Sequence, residues 1–96
     1  MTTVDAPGAL LDRALTLHPQ VALRTEPFGA LAYHYDTRRL VFLKHPDVVR
    51  VVRALGSHET VHAALIACDI PSTRFPAFER ALNSLIESEM LCDRAG

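Results

Sequence analysis

The chain has 96 residues, a formal net charge of −1, 49% hydrophobic residues and 22% charged residues. This composition is typical of a globular protein, and the length predicts one domain, because a second hydrophobic core would be too small to be stable. Ten basic residues are offset by eleven acidic ones, which argues against a dominant nucleic-acid partner. No apolar run approaches the ~20 residues of a membrane span. The two cysteines form no disulfide framework, and we expect a cytoplasmic protein.

The N-terminal residues 1–17 are expected to form an arm in front of the main domain, which we place at residues 18–92. Leu11 and Leu15 are four residues apart, a spacing that fits a short helix over residues 9–17. A partly ordered tail is the alternative. His18-Pro19 would end such a helix, because the residue before a proline avoids helical geometry.

Three strand-like runs follow, over residues 21–26, 30–35 and 40–43. The segment between the first two, Glu26-Pro27-Phe28-Gly29, suits a type I turn, with proline at its second position and glycine at its fourth. Short turns between consecutive runs predict an antiparallel meander of three strands.

Alternation along the second run puts Tyr33 and Tyr35 on one face and His34 on the other. If the next turn is symmetric about its two middle residues, Tyr35 lies opposite Leu40 and Tyr33 lies opposite Phe42. Such cross-strand pairs each stabilise a sheet by a few tenths to ~1 kcal/mol.

Three helices are predicted after the strands. Pro46 suits the first helical position, Gly56 the end of the first helix and Ser57 the cap of the second. The third helix is predicted over about residues 75–89. The apolar stripes expected to face the core are Val48, Val51, Val52 and Leu55 in the first helix, Val61, Ala64, Leu65 and Cys68 in the second, and Phe78, Leu82, Leu85 and Ile86 in the third.

The order β-β-β-α-α-α predicts an α+β fold, with a three-stranded antiparallel meander sheet followed by three helices. A small sheet of this kind needs a helical layer over one face to be stable. The assembly is winged-helix-like, with the sheet placed first.

Residue patterns that carry catalysis are missing from the sequence. It contains no Gly-x-Ser-x-Gly, His-Glu-x-x-His, glycine-rich phosphate loop or Cys-x-x-Cys. His58 and His62 are one helical turn apart, but two ligands do not make a metal site. Cys68 lies on an apolar stripe and is expected to be a core residue. The sequence therefore predicts neither an enzyme nor a metal centre.

A winged-helix arrangement also suits a DNA-binding transcriptional regulator, which is one alternative function. The third helix would be the recognition helix, and it carries Arg74, Arg80 and Asn83. Its three acidic residues, Glu79, Glu87 and Glu89, outnumber the two arginines and would be repelled by phosphates. A purely structural subunit of an assembly is a further alternative.

Peptide binding is another candidate, because the last strand of a meander has an open edge. The strand at residues 40–43 is apolar, follows Arg38 and Arg39, and precedes Lys44. An extended acidic and apolar segment could pair with this edge as an added strand. The alternative interpretation is a strand with one face in the core, next to a solvated arginine turn.

Three segments of the sequence resemble the peptide chaperones of mycofactocin systems, within the PqqD-like family of precursor-peptide recognition domains. The segments are HPQVALR at 18–24, PFGALAYHY at 27–35 and RRLVFL at 38–43. The resemblance covers roughly residues 18–91, so the chain before His18 lies outside it.

The resemblance implies a PqqD-type fold and a role without catalysis. Such proteins bind the leader of a precursor peptide, here that of mycofactocin, and deliver it to a radical S-adenosylmethionine (SAM) maturase. The iron–sulfur cluster and S-adenosylmethionine belong to that enzyme, so no cofactor is expected here. Open strand edges also permit a homodimer.

In the family, the leader adds as a strand beside the third strand, in a cleft against the third helix. Matched onto this chain, the strand side is Arg39–Leu43, the floor is Phe78, Leu82 and Ile86, and the rim is Phe75, Glu79 and Asn83. Arg38 and Arg39 would attract leader acids. The predicted peptide-binding residues are Arg38, Arg39, Leu40, Val41, Phe42, Leu43, Phe75, Phe78, Glu79, Leu82, Asn83 and Ile86.

Overall fold

The computed structural model describes residues 10–94, and all structural statements below refer to them. They form β1 (Leu15–Leu17), β2 (Val21–Glu26), β3 (Gly29–His34), β4 (Leu40–Leu43), α1 (Pro46–Ala54), α2 (Val61–Ala67), α3 (Phe75–Glu87) and β5 (Leu91–Asp93). Single 3-10 turns cover Leu10–Asp12, Leu55–Ser57 and Ser72–Arg74.

The predicted α+β fold class is confirmed. Strands β2, β3 and β4 form an antiparallel sheet in that order, and the three helices follow it. This arrangement is consistent with a PqqD-like fold. A second sheet of two strands, β1 and β5, was not predicted.

The hydrophobic core joins the inner face of the three-stranded sheet to the helices. Val51 of α1, Leu65 of α2 and Leu82 of α3 are each 0% exposed. The stripe predicted for α2 is buried throughout. In α1 the structure buries Val49 rather than Val48. The 3.6-residue periodicity therefore located the core faces of the helices to within one residue.

The short helix predicted over residues 9–17 is wrong for the part that the structure describes. Residues 10–12 form one 3-10 turn, and Leu15–Leu17 form β1, which pairs with β5 in the register Leu15↔Asp93 and Leu17↔Leu91. The pairing partner lies more than 70 residues along the chain, and local periodicity carries no signal for such a contact. Residues 1–9 of the predicted arm lie outside the described residues.

The β1–β5 ribbon is joined to the rest of the molecule on both strands. Leu15 of β1 and Leu91 of β5 are 1% and 2% exposed and belong to the core, while the ion pair of Arg13 with Asp93 at 3.0 Å links the two strands to each other. The Arg94 guanidinium donates to the carbonyl oxygens of Gly56 and His58 at 2.9 and 2.8 Å. Residues Leu91–Asp93 near the C-terminus are therefore part of a sheet.

Two helix boundaries differ from the prediction. Thr60, not Ser57, caps α2, because its Oγ1 accepts the N–H of Ala63 at 3.0 Å. Ser57 is instead part of a 3-10 turn. Helix α3 ends at Glu87, two residues early, and Glu89 has a left-handed backbone with φ 66°.

The predicted register between β3 and β4 is wrong by two residues. Tyr33 pairs with Leu40 and Leu31 pairs with Phe42, whereas Tyr35 lies beyond the end of β3. The assignment of faces is correct, since a shift of two residues preserves the alternation.

A loop two residues longer than the predicted symmetric turn causes this shift, because residues 35–38 lie between His34 and Arg39, which close the ladder. The His34 carbonyl accepts the N–H of Arg38 at 2.8 Å, while the His34 N–H donates to the Arg39 carbonyl at 3.0 Å. Two residues of one strand thus oppose one residue of the other, and Arg38 has the left-handed backbone (φ 66°) of such a bulge. The imidazole Nδ1 of His34 also accepts the N–H groups of Asp36 and Thr37, each at 3.2 Å.

Gly29 is required where β3 begins. Its φ is 145°, and a Cβ atom there would collide with the backbone carbonyl oxygen of Leu43. The β2–β3 turn can therefore approach the end of β4 only with glycine at this position.

Candidate peptide-binding site

Strand β4 is at the edge of the sheet and bonds only to β3 within the described residues. The bond from the His34 N–H to the Arg39 carbonyl sets the phase of the ladder. Hydrogen-bonded pairs alternate with non-bonded pairs in an antiparallel ladder, so Val41 and Leu43 direct their backbone groups at β3.

The intervening residues, Leu40 and Phe42, direct their backbone N–H and C=O groups away from β3. We call these outward groups the free edge. Within residues 10–94 they are unpaired backbone donors and acceptors, to which another extended chain can bind.

A groove runs between β4, the start of α1 and helix α3. Its volume is about 190 Å³. The residues that line it are Val41, Phe42, Leu43, Lys44, His45, Val48, Ala81, Ser84 and Leu85. The groove thus lies along the edge strand, with an apolar middle and Lys44 and His45 at one end.

Part of the strand side of the predicted site lines this groove. Val41, Phe42 and Leu43 line it, while Leu40 contributes to the free edge. Arg38 and Arg39 are exposed in the loop that leads into β4.

The helix side differs from the predicted floor. Phe78 is 3% exposed and Leu82 is 0% exposed, so both belong to the hydrophobic core. Ile86 is partly buried against that core. Their assignment to the floor of a peptide site remains a prediction, and the structure places Ala81, Ser84 and Leu85 along the groove.

The predicted rim residues are spread over α3. Phe75 is buried, with the His62 ring edge-on to it at a centroid distance of 5.7 Å. Glu79 is half-buried and Asn83 is exposed, and neither lines the groove.

Sequence reasoning missed Ala81 and Ser84 as site residues, and it assigned Leu85 to the core alone. The three positions recur at i, i+3 and i+4, so they share one helix face next to the buried stripe. Small side chains at two of these positions leave space between α3 and β4. The i, i+3, i+4 spacing of these residues was the feature of the sequence that could have indicated the groove.

The cations around β4 differ from those near α1 in having no acidic partner. Arg38, Arg39 and Lys44 are exposed, and within residues 10–94 none of them forms an ion pair. They flank both ends of the free edge. These three cations can therefore form ion pairs with a negatively charged ligand.

Near α1, by contrast, the Asp47 carboxylate bridges two arginines. It accepts from Arg50 at 2.8 Å and from Arg74 at 3.0 Å. The Arg50 hydrogen bond, followed by that of Arg74, holds the pKa of Asp47 below its ordinary value of 3.8. The hydrogen bond to Asp47 likewise raises the pKa of Arg50. This cluster joins α1 to the start of α3.

Neither a metal cluster nor a membrane-spanning helix is found in the part of the chain that the structure describes. No group of three or more His, Cys, Asp or Glu side chains there could hold a metal ion. No helix among these residues is long and apolar enough to cross a bilayer.

Comparison with known proteins gives a family match over most of the chain. The family model of the peptide chaperone MftB matches residues 14–92. The chain belongs to the peptide chaperone MftB family. The match includes β1 and most of β5, which lie at the two ends of the region it covers.

Three curated relatives carry the name peptide chaperone MftB. Those of Mycobacterium ulcerans (strain Agy99) and Mycolicibacterium smegmatis (strain ATCC 700084 / mc(2)155) are 45% identical over 80 residues, 83% of this chain and 73% and 78% of the relatives. That of Mycobacterium tuberculosis (strain ATCC 25618 / H37Rv) is 41% identical over 83 residues, 86% of this chain and 76% of the relative. No solved structure matches significantly.

The MftB family assignment confirms the resemblance found in the sequence, and the match begins at residue 14, four residues before the predicted start at His18. It supports the peptide-binding interpretation and gives no support to a DNA-binding regulator. Its curated members are named chaperones.

Proposed function

We propose that this protein binds the leader of a mycofactocin precursor peptide as a strand added to β4, and delivers it to a radical SAM maturase. The observation that carries the proposal is the free edge of Leu40 and Phe42 beside an apolar groove. Membership of the MftB family supplies the chemical class of the ligand.

Backbone pairing would supply much of the affinity. Leu40 and Phe42 each present one donor and one acceptor to an added strand, and strand addition satisfies these groups without regard to ligand sequence. Selectivity must then come from side chains, which alternate between the two faces of the added strand.

The groove would receive the inward side chains of the leader. Leader residues that flank those bonded to the free edge share the face of Val41 and Leu43, and they point toward α3. Ala81 is only half-buried and leaves room for an apolar side chain there. The proposed ligand therefore has apolar residues at alternate positions.

Acidic leader residues would be attracted to both ends of the edge. Arg38 and Arg39 precede β4 and Lys44 follows it, all exposed. Such an attraction accelerates encounter and weakens as salt screens it.

In this proposal the domain acts by ordering the peptide and performs no chemistry itself. Ordering a flexible segment costs part of the gross binding energy. In return, a fixed leader raises the effective concentration of the modifiable segment near the maturase. The iron–sulfur cluster and SAM belong to that enzyme. The proposed setting is the cytoplasm.

A titration of 15N-labelled protein with a synthetic leader peptide tests the proposal. We expect amide shifts in residues 38–45 and 81–85, and none on adding duplex DNA. A scrambled leader of the same composition is the matched control, because it keeps the charge and changes the alternation. Shifts confined to the β1–β5 ribbon, or equal shifts with the scrambled peptide, would contradict strand addition at β4.

A further inference from the structure

Exposed large apolar side chains are concentrated on one face of the sheet. Phe28, Tyr35, Leu40 and Phe42 are 43%, 57%, 56% and 59% exposed. All four lie on or beside the sheet face opposite to the core, which we call the outer face. The remaining large exposed apolar residue of the described chain, Ile66 at 55%, is on α2.

Among the described residues, Leu40 and Phe42 have strand neighbours on one side only of the outer face. Tyr33 lies opposite Leu40 and Leu31 lies opposite Phe42 across the β3–β4 ladder. The Phe42 ring is also 5.8 Å from that of Phe28. On the other side of β4 the sheet ends, so both side chains are open toward the free edge.

The backbone phase links this face to the bound peptide. Leu40 and Phe42 are the two residues of β4 whose hydrogen-bonding groups point outward. In an antiparallel pair, residues directly opposite each other have their side chains on the same face of the sheet. In a leader strand that pairs antiparallel to β4, a residue bonded to Phe42 thus has its side chain beside the Phe42 ring.

We propose that the outer face of β4 is a second contact surface for the leader, at which outward leader side chains pack on Leu40 and Phe42. This inference rests on the proposed function. Its occupant is the outward half of the same added strand, because hydrogen bonding at the free edge places those side chains there.

A second contact surface restricts the side-chain pattern of the leader that can bind. A strand with apolar residues only on the groove side would leave Leu40 and Phe42 exposed after binding. The ligand that covers both surfaces has apolar or aromatic side chains on the two faces over successive positions. Acidic residues beyond this apolar run would lie near Arg38, Arg39 and Lys44.

Phe42→Ser and Ile66→Ser are a matched pair of variants to test this surface. Both remove a similarly exposed apolar side chain, and only Phe42 is beside the free edge. We expect Phe42→Ser to bind the synthetic leader about five-fold more weakly, which corresponds to one lost cross-strand pair. Ile66→Ser should bind like the unmodified protein. Phe42→Thr, which keeps strand propensity, should weaken binding similarly.

A serine scan of the leader gives the decisive pattern. Serine substitutions at outward and at inward leader positions should both lower the affinity for the unmodified protein. With the Phe42→Ser protein, the substitutions at outward positions should no longer change the affinity. Unchanged affinity of Phe42→Ser, with amide shifts still present at residues 40–43, would overturn the second surface while leaving strand addition intact.

Two other outcomes would also overturn the second surface. Absence of shifts at β4 in the unmodified protein would remove the proposed function and this inference together. Self-association without peptide that Phe42→Ser abolishes, seen by analytical ultracentrifugation, would assign the outer face to a second copy of the chain.

Discussion

The imidazole rings of His18 and His34 lie 4.6 Å apart, centroid to centroid, at an interplanar angle of 42°. His34 is 1% exposed, and its Nδ1 accepts the N–H groups of Asp36 and Thr37. An accepting Nδ1 carries no proton, so the neutral ring has its proton on Nε2. That Nε2 is buried and has no hydrogen-bond partner in residues 10–94. His34 thus organises the loop into β4 at the cost of one unsatisfied donor.

Replacing His34 should destabilise the β3–β4 loop only if the new side chain cannot accept the Asp36 and Thr37 N–H groups. His34→Leu fills space but provides no acceptor, and each lost hydrogen bond costs about 0.5–1.5 kcal/mol. In His34→Asn, the side-chain Oδ1 can take the place of Nδ1. Hydrogen exchange should show protected Asp36 and Thr37 amides in His34→Asn and fast exchange in His34→Leu. Equal exchange in the two variants would exclude this role of the imidazole.

The loop also shows why the register could not be predicted from the sequence. A symmetric turn was the simplest interpretation of residues 36–39. It did not include the hydrogen bonds that the Asp36 and Thr37 N–H groups donate to the His34 imidazole. The outcome also required Arg38 to adopt a left-handed backbone, which a non-glycine residue does infrequently. Local alternation of apolar and polar residues predicts which segments are strands and which sheet face each side chain occupies. The register between β3 and β4 depends instead on hydrogen bonds from the loop to the His34 side chain.

The free edge predicts opposite effects for two neighbouring proline substitutions. Leu40→Pro removes an N–H that points outward, at the first residue of an edge strand, where proline is tolerated. We expect a folded protein with leader affinity reduced about two- to tenfold relative to Leu40→Ala. Val41→Pro removes an N–H bonded to β3 and should destabilise the sheet. Calorimetric titration measures the leader affinity and thermal unfolding measures the stability of the sheet. Equal leader affinity of Leu40→Pro and Leu40→Ala would contradict an outward-pointing Leu40 N–H.

The groove predicts that a larger side chain on α3 blocks binding. Ala81→Leu projects into the groove and keeps helix propensity, so the leader should bind at least about tenfold more weakly with little change in stability. Ala77→Leu, at an exposed position of the same helix that does not line the groove, is the control. Fluorescence anisotropy with labelled leader measures both. Equal affinities would indicate that the peptide does not enter the groove.

Leu82→Ala should behave differently from Ala81→Leu. Its side chain is 0% exposed, and truncation leaves a cavity that costs about 2–5 kcal/mol of unfolding free energy. Chemical denaturation measures this loss. Leader affinity at a temperature where the variant is folded should stay near that of the unmodified protein, and a specific loss of affinity would return Leu82 to the binding surface.

These two variants also show which part of the site the sequence could indicate. The strand side followed from an apolar run flanked by cations. On α3, hydrophobicity identified Phe78 and Leu82, and such side chains are the ones that folding buries. Space for a ligand is left by small residues such as Ala81 and Ser84, which give no hydrophobic signal. The sequence therefore predicted α3, but the residues it assigned to the site lie one position away from those that line the groove.

The Asp47 cluster predicts an acid-sensitive contribution to stability. Hydrogen bonds from Arg50 and Arg74 lower the folded-state pKa of Asp47 below its ordinary value of 3.8. A carboxyl with a depressed pKa stabilises the fold above its unfolded-state pKa, and this contribution is lost as pH falls through the folded-state pKa. Asp47→Asn should therefore be less stable than the unmodified protein at neutral pH, and the difference should shrink below pH 3.8.

Denaturant unfolding across this pH range checks the sign. Added salt should also narrow the difference, because the three side chains are partly exposed and their charges are screened. Glu59→Gln is the control, since Glu59 is exposed and forms no ion pair within the described chain. A difference for Asp47→Asn that stays constant to pH 2 would show that shape, not charge, stabilises the junction of α1 and α3.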